Sequence, residues 1–315
     1  MIFQQLISIG IQSKEYMTDK KVVACLELGG TSAAIAIADS LGSFLWKKKG
    51  IATGTSRDPS QVIEEICKEL LNSGYKFDTL GIASFGPLNI KAGCIGLTPK
   101  PLWKHFPLVA ELHKHLGESC KIILETDVNA PAYSEYLALK EKEPNVVSVA
   151  YMTIGTGVGL GVYSDGRPYH GVFHPEFGHS LLPPAPGDTY SGFCPYHHNC
   201  LEGLISCNAL AERLGISIDQ LPTVPNDDPV WDIFAYYIGV AAANAALAYS
   251  LDYFVIGGGV MTGDNRSFLF EKAQKYCDKF INNYIPTPKI VPPVYLKDAG
   301  LVGAAACGLY QSVFQ

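Results

Sequence analysis

The chain has 315 residues, a net charge of −6 and 48% hydrophobic residues, enough for two domains with large buried cores. The acidic balance, without any block of basic residues, argues against nucleic-acid binding because phosphate backbones would be repelled. Nine scattered cysteines, with no secretory signal and no apolar run long enough to cross a membrane, indicate a cytoplasmic location without membrane association.

The first half of the chain follows an N-terminal extension, residues 1–21, and alternates strands with helices. Three consecutive antiparallel strands are predicted first, and Asp58 followed by Pro59 is typical of a helix start. The expected strands are 22–28, 32–39, 44–51, 79–85 and 121–125, and the later helices are 106–116 and 128–142. We assign residues 22–144 to an N-terminal α/β domain.

The second half, residues 145–315, is predicted to form another α/β domain. Its strands are expected at 146–154, 158–163 and 253–256, and its helices at 231–249, 268–282 and 301–312. The helix at 231–249 is apolar almost all round, which predicts that it is buried. A long irregular insertion that runs through residue 200 is typical of a functional loop. Alternating strands and helices indicate largely parallel sheets, whose ligands bind at the carboxyl ends of strands.

Three glycine-rich turns each follow an apolar strand. They are Gly29-Gly30-Thr31, Gly155-Thr156-Gly157 and Gly257-Gly258-Gly259. A single such turn is most often a plain hairpin, but glycine also lets backbone N–H groups converge on an anion, and threonine adds a hydroxyl donor. The chain has no Walker A motif and no dinucleotide-binding fingerprint. Three turns therefore favour a phosphate site of another design, in which two hairpins face each other across a cleft and hold ATP.

Carboxylates stand at positions suited to meeting a substrate hydroxyl. Asp127 follows a strand and precedes a helix, so it fits either a general base at a strand end or a helix N-cap. Asn129 fits either a contact to a sugar hydroxyl or the first residues of that helix. Glu176 and Glu202 lie in short glycine-containing loops rather than on an amphipathic face. Such carboxylates, together with an amide side chain, suit the recognition of neighbouring hydroxyl groups.

The segment 194–200 has the spacing of a metal site. Three ligands three residues apart can face one zinc ion, and here they are Cys194, His197 and Cys200. The candidates for a fourth ligand are His179, which we favour, and the alternatives His170, His174 and His198. The pair His174 and Glu176 also matches part of the zinc deaminase pattern. The deaminase pattern requires Pro-Cys-x-x-Cys, whereas this chain has Cys194-Pro195 followed by His197 and Cys200. A deaminase would also leave the glycine turns without a role, so we favour a structural zinc site.

Eight motifs in order along residues 22–310 resemble those of the ROK (repressor, open reading frame, kinase) sugar kinases, and among them the bacterial-type fructokinases. The motifs are Glu27-Leu28-Gly29-Gly30-Thr31, Ser84-Phe85-Gly86-Pro87, Thr98-Pro99-Lys100-Pro101, Glu125-Thr126-Asp127-Val128-Asn129, Ile154-Gly155-Thr156-Gly157-Val158-Gly159, His174-Pro175-Glu176-Phe177-Gly178-His179, Cys194-Pro195-Tyr196-His197 with Cys200-Leu201-Glu202-Gly203, and Ile256-Gly257-Gly258-Gly259-Val260-Met261.

The resemblance implies an actin-like ATPase (ribonuclease H-like) fold, with two α/β domains around a cleft. It implies ATP-dependent phosphorylation of a hexose, most simply fructose to fructose 6-phosphate, with mannose or glucose as alternative acceptors. Asp127 would be the base. The implied sugar contacts are Asn129, Glu176, His179 and Glu202, with Gly86 and Pro87 lining the pocket. The implied zinc ligands are His179, Cys194, His197 and Cys200.

For the nucleotide, the resemblance implies phosphate contacts from the first two glycine turns and places the third near ATP. Mg²⁺ would bridge the phosphates, with Glu27 contacting it through water. A homodimer is the family expectation. Two positions depart from the family pattern. Ser32 stands where many relatives carry lysine, so Lys100 or Mg²⁺ would have to compensate, and Leu102 replaces the usual glycine before Trp103.

The family also includes transcriptional repressors with an N-terminal helix-turn-helix domain. Because the first strand is expected near residue 22, we predict no such domain here. A sugar sensor without turnover is the remaining alternative, and the presence of Asp127 argues against it.

Overall fold

The computed structural model describes residues 22–54, 56–261 and 266–314, so the predicted extension 1–21 lies outside the described residues. The first sheet has the order β3-β2-β1-β4-β7, and a separate short hairpin pairs β5 with β6. Strands β1, β2 and β3 are antiparallel, as predicted, whereas β1, β4 and β7 are parallel. The strands are β1 Val23–Leu28, β2 Ser32–Ser40, β3 Ser43–Ala52, β4 Thr79–Ser84, β5 Leu88–Asn89, β6 Cys94–Ile95 and β7 Lys121–Thr126.

The second sheet repeats this plan with the order β10-β9-β8-β11-β12. An antiparallel hairpin, β8 with β9, is again followed by parallel strands. The strands are β8 Ser148–Ile154, β9 Val158–Ser164, β10 Arg167–Pro168, β11 Tyr253–Gly257 and β12 Lys289–Val291. The helices are α1 Pro59–Leu71, α2 Leu108–Leu116, α3 Asn129–Lys142, α4 Leu201–Ile205, α5 Cys207–Leu214, α6 Val230–Tyr249, α7 Phe268–Ile281 and α8 Ala299–Leu309.

Helix α1 forms as the local sequence predicts. The Asp58 carboxylate accepts hydrogen bonds from the backbone N–H groups of Ser60 and Gln61, at 2.9 and 3.3 Å, and so satisfies donors that the first turn leaves free. The side chains that recur at helical spacing, Val62, Ile66 and Leu70, are fully buried against the first sheet.

Helices α3 and α8 lie between the two sheets and are exchanged between the halves of the chain. Helix α3, from the first half, packs on β8 and β9, whereas α8, the last helix, packs on β1 and β4. The approach is close, because a Cβ at Gly81 of β4 would overlap the Ala304 carbonyl, and one at Gly161 of β9 would overlap the Val128 backbone. The predicted division into domains 22–144 and 145–315 remains a proposal. In such a division, α8 belongs to the second domain by sequence but packs on the sheet of the first.

Among the described helices, α6 alone has the length and hydropathy of a membrane-spanning segment, although we expected no apolar run of that length. Its most apolar window is 72% buried inside the protein, as in the core helix of a globular fold. Trp231, Phe234 and Tyr237 anchor it in the core of the second half. The prediction of a buried helix is therefore confirmed.

Candidate active site

The carboxyl ends of the three parallel strands of the first sheet lie side by side. Leu28, Ser84 and Thr126 are paired in register at the ends of β1, β4 and β7. The backbone continues this alignment for one more residue. The N–H of Phe85 donates to Leu28 O at 3.0 Å, and that of Asp127 donates to Ser84 O at 2.8 Å. Asp127 is thereby fixed at the sheet edge where ligands of such folds bind.

The Asp127 carboxyl group is partly buried and lies in a mixed electrostatic environment. Burial raises its pKa to about 6, and the nearby Glu176 carboxylate acts in the same direction. His174 and Lys100 act the opposite way and lower the pKa. A carboxylate with a pKa near 6 is ionised at neutral pH and still a useful proton acceptor, so its titration suits a general base.

Asp127 does not cap helix α3. The cap residue is Val128, and the hydroxyl oxygen of Thr126 accepts the hydrogen bond from the N–H of Asn129, at 3.0 Å. The interpretation of Asp127 as a helix N-cap is therefore wrong, and its carboxylate is left for another role.

Asn129 is fully buried and its side-chain amide is already occupied. Its Oδ1 accepts from the N–H of Val162 at 3.0 Å, and its Nδ2 donates to Tyr169 O at 3.3 Å and to Glu125 Oε1 at 3.4 Å. These bonds join the start of α3 to β9. Only the second acceptor site of Oδ1 is left for a further hydrogen bond. A sugar contact through Nδ2 would require an existing bond to break, which would leave a buried polar group unpaired.

His174 interacts electrostatically with Asp127, whereas from the sequence it was an alternative zinc ligand and half of a deaminase-like pair. Its Nε2 lies 3.0 Å from Glu176 Oε1, and a Cβ on Gly86 would lie 2.8 Å from the same nitrogen. Its Nδ1 is buried without a hydrogen-bond partner among the described residues. Gly86 and Pro87, the predicted pocket lining, therefore lie in one neighbourhood with Asp127 and Glu176. In the sequence, the only sign of this pairing was the short motif His174-Pro175-Glu176.

A second pair that the sequence analysis missed lies beside this group. The buried Glu125 binds His170 Nε2 at 2.7 Å, and this hydrogen bond raises the His170 pKa. Both residues, together with His174, line a cleft of about 870 Å³ that is bordered by Asn89 and Phe173. Its acidic and imidazole groups are suited to hydrogen bonding a polyhydroxylated ligand.

The first glycine turn, between β1 and β2, is tight and its outer face is open. The N–H of Gly29 donates to Ser32 O at 3.1 Å, and Thr31 is exposed. A Cβ on Gly30 would lie 3.0 Å from Lys100 Nζ, so glycine there allows this cation to approach the turn.

The second turn, between β8 and β9, is held from behind by the start of α5. The N–H of Gly155 donates to Gly157 O at 2.9 Å, the N–H of Cys207 donates to Gly155 O at 2.8 Å, and Asn208 Nδ2 donates to Thr156 O at 3.2 Å. A Cβ on Gly155 would meet only open space. This face of the turn is therefore free for a ligand.

The third turn lies next to the second, because Gly257 of β11 pairs with Thr153 of β8. Gly258 has a φ of 92° and packs so closely on Ile154 that no side chain would fit. Gly259 faces open space. Two glycine turns thus share the carboxyl edge of the second sheet.

The two sheet edges meet at the residue after Asp127. Val128 contacts Gly159 and packs on Gly161, both on the strand that leaves the second turn. The candidate base therefore lies one residue from a direct contact between α3 and the strand that follows the second glycine turn.

The four predicted zinc ligands come together. The ligand atoms of His179, Cys194, His197 and Cys200 all lie within 4.8 Å of one another. His179 Nδ1 lies 3.7 and 3.6 Å from the two sulfur atoms, and His197 Nδ1 lies 3.9 Å from Cys194 Sγ. Tetrahedral zinc with ordinary bond lengths requires sulfur to nitrogen distances of about 3.6 Å, so this donor set fits the ion.

The alternative fourth ligands are not part of this cluster. His170 pairs with Glu125, His174 pairs with Glu176, and His198 is not among the four residues whose ligand atoms come together. His179 turns Nδ1 toward the sulfur atoms, which leaves its Nε2 on the opposite side of the ring.

Glu202 joins the candidate metal loop to the second glycine turn. It follows Cys200 at the start of α4, and its Oε2 accepts from the N–H of Val158 at 3.0 Å. Gly178, next to His179, packs on the carbonyl of the same Val158. A metal in this loop would therefore stabilise the turn that faces Asp127.

Glu27, the predicted magnesium contact, lies on β1 against Gly300 at the start of α8. Burial raises its pKa to about 7. Lys49 opposes this shift, while Asp127 and Asp298 add to it. Glu27 and Asp127 are thus close enough for each carboxylate to affect the other electrostatically.

Known proteins match this chain over nearly its whole length. The ROK family profile matches residues 23–309. A fructokinase from Lactococcus lactis subsp. cremoris is 36% identical over 269 residues, which cover 84% of this chain and 86% of the relative. A fructokinase from Zymomonas mobilis subsp. mobilis is 33% identical over 301 residues, with 92% and 97% covered. The crystal structure of a ROK hexokinase from Thermus thermophilus has a TM-score of 0.74 at 25% identity, with 92% and 99% covered. The predicted actin-like fold is thereby confirmed, and the chain belongs to the ROK family.

Proposed function

We propose that this protein transfers the γ-phosphate of ATP to a hydroxyl of a hexose, with fructose as the preferred acceptor. The observation that carries the proposal is the position of Asp127. Asp127 follows directly after a parallel strand and does not cap helix α3, and its carboxyl group interacts electrostatically with His174, Glu176 and Lys100. The names of the two fructokinase relatives support fructose as the acceptor.

In this mechanism, Asp127 accepts the proton of the attacking sugar hydroxyl. The sugar oxygen forms a bond to the γ-phosphorus, the bond from that phosphorus to the bridging oxygen of the β-phosphate breaks, and its electron pair leaves with ADP. Glu176 and His179 Nε2 hold other sugar hydroxyls. We leave Asn129 out of the contact set because its amide is bonded within the protein.

The glycine turns supply backbone donors for the phosphates of ATP. The open faces beside Gly155 and Gly259 leave room for the nucleotide, and the exposed Thr31 adds a hydroxyl. Mg²⁺, which neutralises phosphate charge when bound, would be held by the phosphates and by Glu27 through water. Zinc on His179, Cys194, His197 and Cys200 would brace the loop and take no part in the transfer.

A panel of acceptor sugars tests this proposal. ADP release coupled to a reporter enzyme should be measured with MgATP and fructose, mannose, glucose or N-acetylmannosamine. We expect the highest kcat/KM for fructose, because hydroxyl groups that pair with buried partners can discriminate strongly between related sugars. Turnover with none of these sugars, by a folded and metal-loaded protein, would refute the kinase proposal. A preference for mannose or glucose would refute the choice of fructose alone.

A further inference from the structure

Lys100 places its ammonium group over the carboxyl ends of the three parallel strands. Its Nζ donates a 2.6 Å hydrogen bond to Gly30 O in the first glycine turn, after β1. The same nitrogen lies 5.2 Å from the ring centre of Phe85, after β4, and it interacts electrostatically with Asp127, after β7. The ammonium group therefore contacts the first glycine turn and lies near Phe85, at the edge of the sheet that also carries Asp127.

The backbone of Lys100 is firmly held. Its carbonyl accepts from the N–H of Trp103 at 3.1 Å, and the fully buried Trp103 packs edge-on against Phe85 and Phe106. The indole N–H also donates to Thr53 O. Because the backbone of Lys100 is fixed in this way, its ammonium group is positioned before any ligand binds.

The charge of this ammonium is poorly compensated. Lys100 is half-buried, and within residues 22–54, 56–261 and 266–314 no carboxylate lies within 4 Å of its nitrogen. One carbonyl oxygen takes one of its three N–H donors, and two donors remain. Lys49, by contrast, is paired with Asp298. A half-buried cation without a carboxylate in ion-pair contact is costly, which points to an anion that arrives with the ligand.

The phosphate turns themselves supply no positive charge. Residues 29–32, 155–159 and 257–260 contain only glycine, threonine, serine and valine. Lys100, which contacts the first turn and interacts electrostatically with Asp127, can supply the positive charge that these turns lack.

We infer that Lys100 is a catalytic residue that binds the transferring phosphoryl group of ATP from the side of the first glycine turn. This inference rests on the proposed kinase function. During transfer the ammonium stays protonated. Its two free N–H groups bond phosphoryl oxygens as the bond to ADP breaks, while the sugar proton goes to Asp127. Glycine at position 30 leaves the path for this contact clear.

The test compares Lys100→Met and Lys100→Arg with the control Lys104→Met, an exposed lysine four residues further along the same segment. We expect Lys100→Met to lower kcat by about 10²–10³-fold, the range for removing one preorganised donor from a transition state. The KM for the sugar should change less than about threefold, since the inferred contact is to the phosphoryl group. Lys100→Arg should recover at least tenfold over Lys100→Met, and Lys104→Met should match the wild type.

A second measurement does not require turnover. Calorimetric titration with the nonhydrolysable analogue AMPPNP and Mg²⁺ should show roughly tenfold weaker binding to Lys100→Met than to Lys104→Met, at equal melting temperatures. Equal kcat values for the two methionine variants would overturn the inference. If the wild-type protein phosphorylated no sugar, the proposed kinase function would be wrong. In that case, equal AMPPNP affinities of Lys100→Met and Lys104→Met would also overturn the role of Lys100.

Discussion

Replacement of Asp127 by asparagine should lower kcat for sugar phosphorylation by about 10²–10⁴-fold, the contribution of a well-placed general base. Asparagine keeps the size and hydrogen-bonding shape of the side chain but cannot accept the sugar proton. The measurement is the steady-state rate of ADP release with MgATP and fructose. Asp219→Asn, which changes an exposed aspartate in the same way, is the matched control and should leave the rate unchanged.

The same substitution should not destabilise the fold. Burial raises the pKa of Asp127 from 3.8 to about 6, so its ionisation lowers the stability of the fold as the pH rises from about 4 to about 6, and the full cost is present above pH 6. Asparagine removes that cost at neutral pH, and the melting temperature should stay the same or rise. A variant that kept more than about a tenth of the wild-type kcat would show that Asp127 is not the base.

The pH dependence follows from the same shift. The base must be ionised, so log kcat/KM should rise with unit slope below about pH 6 and level off above it. The charged or titratable neighbours that set this pKa are His174, Glu176 and Lys100. A profile that stays flat down to pH 5 would contradict the assignment.

Loss of the proposed zinc ion should strongly lower the stability of the protein. Cys200→Ser should reduce bound zinc from about one ion per chain to less than about a tenth, and lower the Tm by about 5–10 °C, since structural zinc contributes directly to folding free energy. Nucleotide binding should weaken too, because Glu202, the next residue but one, holds the N–H of Val158 behind the second glycine turn.

Metal analysis of the purified protein and calorimetric melting measure both effects. Cys94→Ser is the control, because Cys94 is a partly exposed free cysteine outside the four-residue cluster. Full zinc content and an unchanged Tm in Cys200→Ser would exclude a structural metal at this loop.

Much of the fold can be read from local sequence. Buried strands that end in glycine turns, and the pair Asp58 and Pro59, set element boundaries through interactions within a few residues, and the structure reproduces them. Helices α4 and α5 were not predicted. They are short and are separated by Ser206, whose extended backbone breaks what would otherwise be one helix. Long-range packing is also invisible locally, as the docking of α8 on the first sheet shows.

The candidate site likewise contains some residues that local sequence predicts and others that depend on long-range contacts. Asp127 is predictable because a strand end is a local feature, and the zinc loop is predictable because three of its ligands are close in sequence. Asn129 is different. Its amide is bonded to Val162 and Tyr169, more than 30 residues away, and only the folded chain reveals this. The sequence named Lys100 only as one of two possible compensations for Ser32, and its contact with Gly30, across 70 residues, is seen only in the folded chain.

The most direct test of the central claim is to identify the phosphorylated product. Phosphorus-31 NMR of a reaction that contains the protein, MgATP and fructose should show a sugar phosphomonoester at the 6-position, formed in equal amount with ADP. We expect no such signal with Asp127→Asn over the same time. Conversion of ATP to ADP and inorganic phosphate by the wild-type protein, without a sugar phosphate, would contradict phosphoryl transfer to fructose.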